Sequence, residues 1–271
     1  MTTSLPGRAA LGAAVLVAAL PVYAQDVETD SPPFDDVLAL GLVSIPEFEG
    51  AGDQQTVPLV YGQINFEGYR YLAIEGTGAR LNLVDRSDWA AGPSVNFGFG
   101  RDEDVENDVI ALMEEVDTAI EVGAFLSRTW QGVGHPSGSL SAGVNLLQDV
   151  AGAHDGWQAQ FNVGYARSYG TRWRLTTNVG ATWVDDSFAE TYFGVSTVDA
   201  ARSGLAGYQA EGGLKDYGVN VIANYQFTER WSAVGYASFR RLAGDAVDSP
   251  IVDQEGDPNQ VILALGIGYS F

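Results

Sequence analysis

Cysteine is absent and lysine occurs once, at Lys215, so no disulfide can form and positive charge rests almost wholly on arginine. Fourteen Lys and Arg residues face 35 Asp and Glu, for a formal net charge of −21. A nucleic-acid binder neutralises phosphates with basic side chains, so this balance excludes nucleic acid as a partner. Histidine is limited to His135 and His154. Long apolar runs are lacking too: beyond residue 24 no stretch is long and apolar enough to cross a bilayer as a helix.

The one apolar run that does occur, Ala9 to Leu20, follows Arg8 and is broken by Pro21. Val22-Tyr23-Ala24 then supplies small residues around a cleavage point before Gln25. Residues 1–24 are therefore expected to be a signal peptide, the run being too short for a membrane span. Residues 25–35 are polar, acidic and proline-containing, and predict a periplasmic N-terminal arm. Residues 36–271 carry one uninterrupted pattern, hence one domain.

That pattern alternates with period two, as strands with one apolar face do. Trp157-Ala159-Phe161-Val163-Tyr165 interleaves with Gln158-Gln160-Asn162-Gly164-Ala166, and the segments from Trp173, Tyr217 and Val261 repeat the arrangement. A soluble sandwich and a transmembrane barrel both alternate. Three features select the barrel. The strands reach the ten or so residues a tilted strand needs to cross a bilayer. Their apolar faces begin and end in Trp, Tyr or Phe, as interfacial girdles require. Their polar faces are Gly, Asn, Gln, Ser and Thr rather than Lys and Glu, which suits a filled lumen. Phe271, with Tyr269 two residues before it, resembles the terminal signal read by the barrel-assembly machinery.

Periplasmic turns are short and extracellular loops long, which orients the chain. Gly244–Asn259, Asp185–Gln209, Val150–Gly156 and Arg101–Val116 are expected outside; Thr228–Arg230, Tyr169–Thr171, Trp130–Ser137 and Asp85–Asp88 are expected inside. Reading Val37–Ile45, Gln55–Ile64 and Tyr69–Val84 as single strands gives an odd total. Breaking the third at Glu75-Gly76-Thr77-Gly78 gives about twelve strands, and leaving Val37–Ile45 outside gives ten. The fold class is thus an all-β, antiparallel transmembrane β-barrel.

Seven segments in order resemble the MipA/OmpV family of outer-membrane proteins. They are Phe99–Asp104, Gly152–Gly156, Thr191–Ser196, Ala201–Leu205, Gly213–Asp216, Gly244–Val252 and Gly266–Phe271. The resemblance spans essentially all of the chain after the signal peptide. It implies a scaffold that holds a murein lytic transglycosylase and a penicillin-binding protein in a wall-growth complex. Other members of the family are discussed as porin-like or as surface adhesins and antigens, and the resemblance carries over no catalytic residues.

The residues themselves offer few sites, and no catalytic, cofactor-binding or metal residue is assigned. His154-Asp155 could activate water as an Asp–His pair, but Asp155-Gly156 is also a plain turn signal. His135 is expected at the opposite rim, so the two histidines cannot cooperate. The run Asp102 to Asp108 offers carboxylates to calcium or magnesium without the spacing of a calcium loop, and acidic runs more often solvate a surface. Weak ion bridging there to lipopolysaccharide phosphates stays open, with lipid as the surrounding partner. Inward-facing Arg172, Arg174 and Glu121 are candidates for a lumen ion-pair network. Scaffold, narrow porin-like channel and surface adhesin all remain open on this reading, and an enzyme built on His154 is the further class, with a scaffold or pore expected rather than an enzyme.

Overall fold

The computed structural model describes residues 36–271, so the signal peptide and the arm lie outside the described residues. Twelve antiparallel strands close into a barrel. They are β1 (Val37–Pro46), β2 (Gln54–Asn65), β3 (Tyr71–Glu75), β4 (Gly78–Asn82), β5 (Trp89–Gly98), β6 (Ala119–Gln131), β7 (Gly138–Asp149), β8 (Trp157–Tyr169), β9 (Trp173–Val184), β10 (Gly213–Gln226), β11 (Trp231–Leu242) and β12 (Asn259–Ser270). The first strand belongs to the wall, pairing with β2 on one side and β12 on the other, which removes the ten-strand count. An even number places both ends of the wall at the short-turn, periplasmic end.

The faces follow the alternation. Val163 and Val179, opposite each other in register, are 45% and 54% exposed on the lipid side, while Asn178 next to Val179 is 3% exposed in the lumen. The lumen is less uniformly polar than its sequence pattern suggested. Val43, Ile45, Val57, Tyr236, Ile262 and Ala264 form an apolar seam inside β1, β2, β11 and β12.

The break expected at Glu75–Gly78 is a tight hairpin, with Gly76 at φ +62°, a left-handed conformation that glycine adopts without strain. Strands β3 and β4 are five residues each, too short to cross the bilayer. The β2–β3 ladder accordingly covers only Tyr61–Asn65, and Gly76 caps it with a bond to the Val60 carbonyl. Among the described residues no strand lies beside the upper edge of β2. Alternation turns the backbone of Pro58 toward that edge, where a residue without an N–H leaves no donor unmet. Phe99, leaving the top of β5, packs from inside against the apolar seam next to this gap.

The outer loops fold together. The β9–β10 loop contains α1 (Asp186–Phe193) and α2 (Thr197–Ser203), and the β11–β12 loop contains α3 (Asp245–Asp248) and α4 (Pro250–Asp253). The Asp185 carboxylate accepts from Phe188 N–H to start α1. A reciprocal capping box of Ser196 and Asp199 starts α2, and Gly204 at φ +81° ends it.

Candidate functional site

Two apolar clusters roof the outer mouth. One gathers Phe188, Tyr192 and Phe193 of α1 with Val184, Leu242 and Val252. The other gathers Phe48, Ile110, Met113, Val195, Leu205 and Ile251, drawn from four different loops. Tyr208 packs against both and donates to the Asp245 carbonyl. Cross-loop bonds fix the roof: Ser249 Oγ to the Phe193 carbonyl (2.6 Å), Glu114 N–H to Asp199 (2.6 Å), and Asn107 Nδ2 to the Glu255 carbonyl (3.2 Å). Phe193, Ile251 and Ser249 are wholly buried, so this cap is a packed core rather than a set of loose loops. Burial pushes the Tyr192 hydroxyl above its ordinary value, with Glu121 and Glu49 adding to the effect. The same burial lowers the Arg101 guanidinium, against which the charge of Asp199 works.

Beneath the cap lies a cavity of about 180 Å³, with Phe125, Phe188 and Ile262 among its apolar lining and Arg80, Glu121 and Gln158 among its polar lining. Most of its charges are paired. Arg80 meets Glu75 at 2.6 Å, both nearly buried, across the short hairpin. Arg240 pairs with Asp216 in the adjacent strand. A bulge between Leu214 and Asp216 turns Lys215 inward as well, where Nζ lies 2.6 Å from Glu49 and 5.1 Å above the Phe188 ring. The single lysine therefore ties the wall to the first outer loop and to α1.

The ion pairs expected between Glu121 and Arg172 or Arg174 do not form. Glu121 faces the lumen but near the outer end of β6, whereas Arg174 lies near the periplasmic end of β9 and Arg172 in the turn before it. Glu121 instead accepts from Asn96 Nδ2 (2.7 Å) and Gln158 Nε2 (2.6 Å). His154 completes this group. Its Nδ1 accepts from Gly156 N–H at 3.1 Å, which leaves Nε2 to face Glu121 at 3.4 Å, an ion-pair separation without good hydrogen-bond geometry. Its ring meets Phe188 edge-on at 4.9 Å. His154 is thus paired with Glu121, not with neighbouring Asp155, and is wedged between wall and cap. The loop around it is shaped by Asp149, whose carboxylate accepts from Ala151, His154 and Asp155 N–H.

His135 sits at the other end of the molecule, with Nδ1 2.8 Å from Ser137 Oγ in the β6–β7 turn. In the acidic loop, Asp102 accepts from Asp104 N–H, and Glu106 N–H reaches Glu47. Among the described residues no three carboxylate, histidine or cysteine side chains converge as metal ligands would.

The family model described as "MltA-interacting protein MipA" matches residues 38–271. The MltA-interacting protein of Escherichia coli K12 is 35% identical over 97 residues, which cover 36% of this chain and 38% of that protein. The putative outer membrane protein YiaT of the same strain is 31% identical over 128 residues, covering 47% of this chain and 50% of that protein. The chain thus aligns with half or less of the length of these curated relatives. Among solved structures, the NanC porin superposes with a TM-score of 0.45 at 7% identity, over 87% of this chain and 100% of that one. The CymD monoaromatic hydrocarbon channel gives 0.41 at 12% identity, over 88% and 89%. The chain belongs to the MipA family and is an outer-membrane β-barrel.

Proposed function

We propose that this barrel is a docking platform that faces the periplasm and retains a murein lytic transglycosylase, and through it a penicillin-binding synthase, at the outer membrane. The observation that carries the reading is the roofed outer mouth, with its own apolar clusters above a lumen of buried ion pairs. A barrel closed on that side offers its working surface on the other. The relative named as an MltA-interacting protein supports the class of partner. The surfaces available are the arm of residues 25–35, freed by cleavage after Ala24, and the inner turns, of which Gly132–Ser137 is held in shape by Val133, His135 and Gly138 backbone bonds.

Capture of a purified MltA-type transglycosylase by the mature barrel in nanodiscs tests this. Binding is expected for the intact protein. It is expected to fall when residues 25–35 are removed or when 132–137 are replaced by an Asn-Gly hairpin, a turn that preserves tight antiparallel pairing. Undiminished capture by a variant with both changes would contradict the reading. The cavity beneath the cap favours a second reading, a narrow channel opened by movement of the cap; conductance separates the two.

A further inference from the structure

Arginine recurs beside aromatic residues at the periplasmic end of the wall, in two arrangements. Descending strands carry Arg128-x-Trp130 and Arg167-x-Tyr169. Residues two apart share a face of a strand, so each arginine lies on the lipid side with its aromatic partner. Ascending strands begin Arg172-Trp173 and Arg230-Trp231, the arginine closing the preceding turn.

The contacts follow from this placement. The Arg128 guanidinium lies 5.2 Å from the Trp89 ring, directly across the β5–β6 ladder, and 5.1 Å from the Trp130 ring. Arg167 lies 4.8 Å from the Tyr169 ring. Arg172 donates to the Tyr225 hydroxyl at 3.4 Å, and Arg230 to the Tyr269 hydroxyl at 3.2 Å. Among the described residues none of these four arginines forms an ion pair within 4.0 Å, whereas Arg80, Lys215 and Arg240 in the lumen are all paired. Aromatic rings hold a guanidinium in place without neutralising it, leaving its donors free for an anion. Trp130, Tyr169, Trp173 and Trp231 are exposed, as residues of an interfacial girdle are.

We propose that this rim binds the phosphates of anionic phospholipids in the periplasmic leaflet. Charge and height both select that occupant. Planar guanidinium groups match phosphate oxygens in pairs of hydrogen bonds, and an aromatic girdle sits at headgroup depth. The carboxylate-rich segments, such as Asp102–Asp108 and Asp245–Asp257, lie at the opposite end. The periplasmic turns carry carboxylates too, but Asp85 and Asp88 there pair with Arg70 and Arg86, which leaves the four girdle arginines as the cations offered to the phospholipid leaflet.

The test uses the mature barrel in vesicles of phosphatidylethanolamine and phosphatidylglycerol, with brominated acyl chains on one lipid at a time. Trp157→Phe and Trp183→Phe remove the tryptophans at the outer end, so quenching reports the rim. Phosphatidylglycerol is expected to bind about fivefold more tightly than phosphatidylethanolamine, the scale of one arginine near an anionic headgroup. Changing Arg128, Arg167, Arg172 and Arg230 together to Gln should bring the ratio to about one, and added salt should lower it in the parent. If the fourfold variant does not fold, Arg128→Gln alone should lower the ratio measurably. Equal binding of both lipids by the parent, or a ratio unmoved by the substitutions, would overturn the proposal. So would a parent without lipid preference whose arginine variants lose transglycosylase capture, which would assign the rim to a protein partner.

Discussion

Lys215 shows how much one side chain can join. The bulge that turns it inward sets its ammonium between Glu49, Asp216 and the Phe188 ring, so wall, first outer loop and α1 share one contact. Lys215→Met keeps the length but removes the charge, and should cost about 2 kcal/mol, the scale of hydrogen bonds to charged groups. The measurement is tryptic cleavage after Arg202, an exposed position in α2. Cleavage is expected to speed up while the barrel itself stays folded; an unchanged rate would mean the cap does not depend on this lysine. On the wall, Arg at Val163 should impair assembly by about 2–4 kcal/mol because it faces mid-bilayer lipid, and Arg at Asn162, which lines the lumen cavity, should be milder. Heat-modified gel mobility reads both, and equal tolerance would mean the faces are reversed. The lumen pairs were harder to read. Alternation correctly turned Glu121 and Arg174 inward, but it says nothing of how far along the axis residues on distant strands lie, and these two are at opposite ends. Arg80 and Glu75 meet because a tight hairpin sets them diagonally across its ladder, a proximity visible only once the turn is located.

At the scale of elements, the strands were legible because each buries or exposes every second residue, and a wall that separates lipid from a filled lumen enforces that period over ten residues or more. The hairpin at Glu75–Gly78 was legible for another reason: an even strand count required either a turn there or Val37–Ile45 outside the wall, and Gly76 could make the turn. The cap was not legible. Its helices run to eight, seven, four and four residues, too short to show a helical period, and their apolar faces pack on other loops and on strand ends such as Val184 and Leu242 rather than along a sheet face. One local signal was present, Ser196-x-x-Asp199 with Gly204 following, which is a helix start and stop. Ser196→Ala should weaken α2 by about 1 kcal/mol and raise cleavage after Arg202, though less than Lys215→Met does. A rate equal to that of the parent would show that α2 is held by its apolar contacts alone.

For the molecule as a whole, the cap and the wall are different kinds of structure with different vulnerabilities. The wall is a closed ladder, open only beside the upper edge of β2, whereas the cap is a small core built on loops and should open first. Phe193→Ala deletes a wholly buried ring at the centre of one cluster and should cost about 3–5 kcal/mol, much of what so small a core can supply. On the proposed reading the outer mouth is shut and the barrel works from its periplasmic side. Single-channel recording of the refolded mature barrel in planar bilayers tests it most directly. The intact protein should show no sustained conductance, and Phe193→Ala should show openings at the same applied voltage. A steady conductance in the intact barrel, unchanged by Phe193→Ala, would contradict the account.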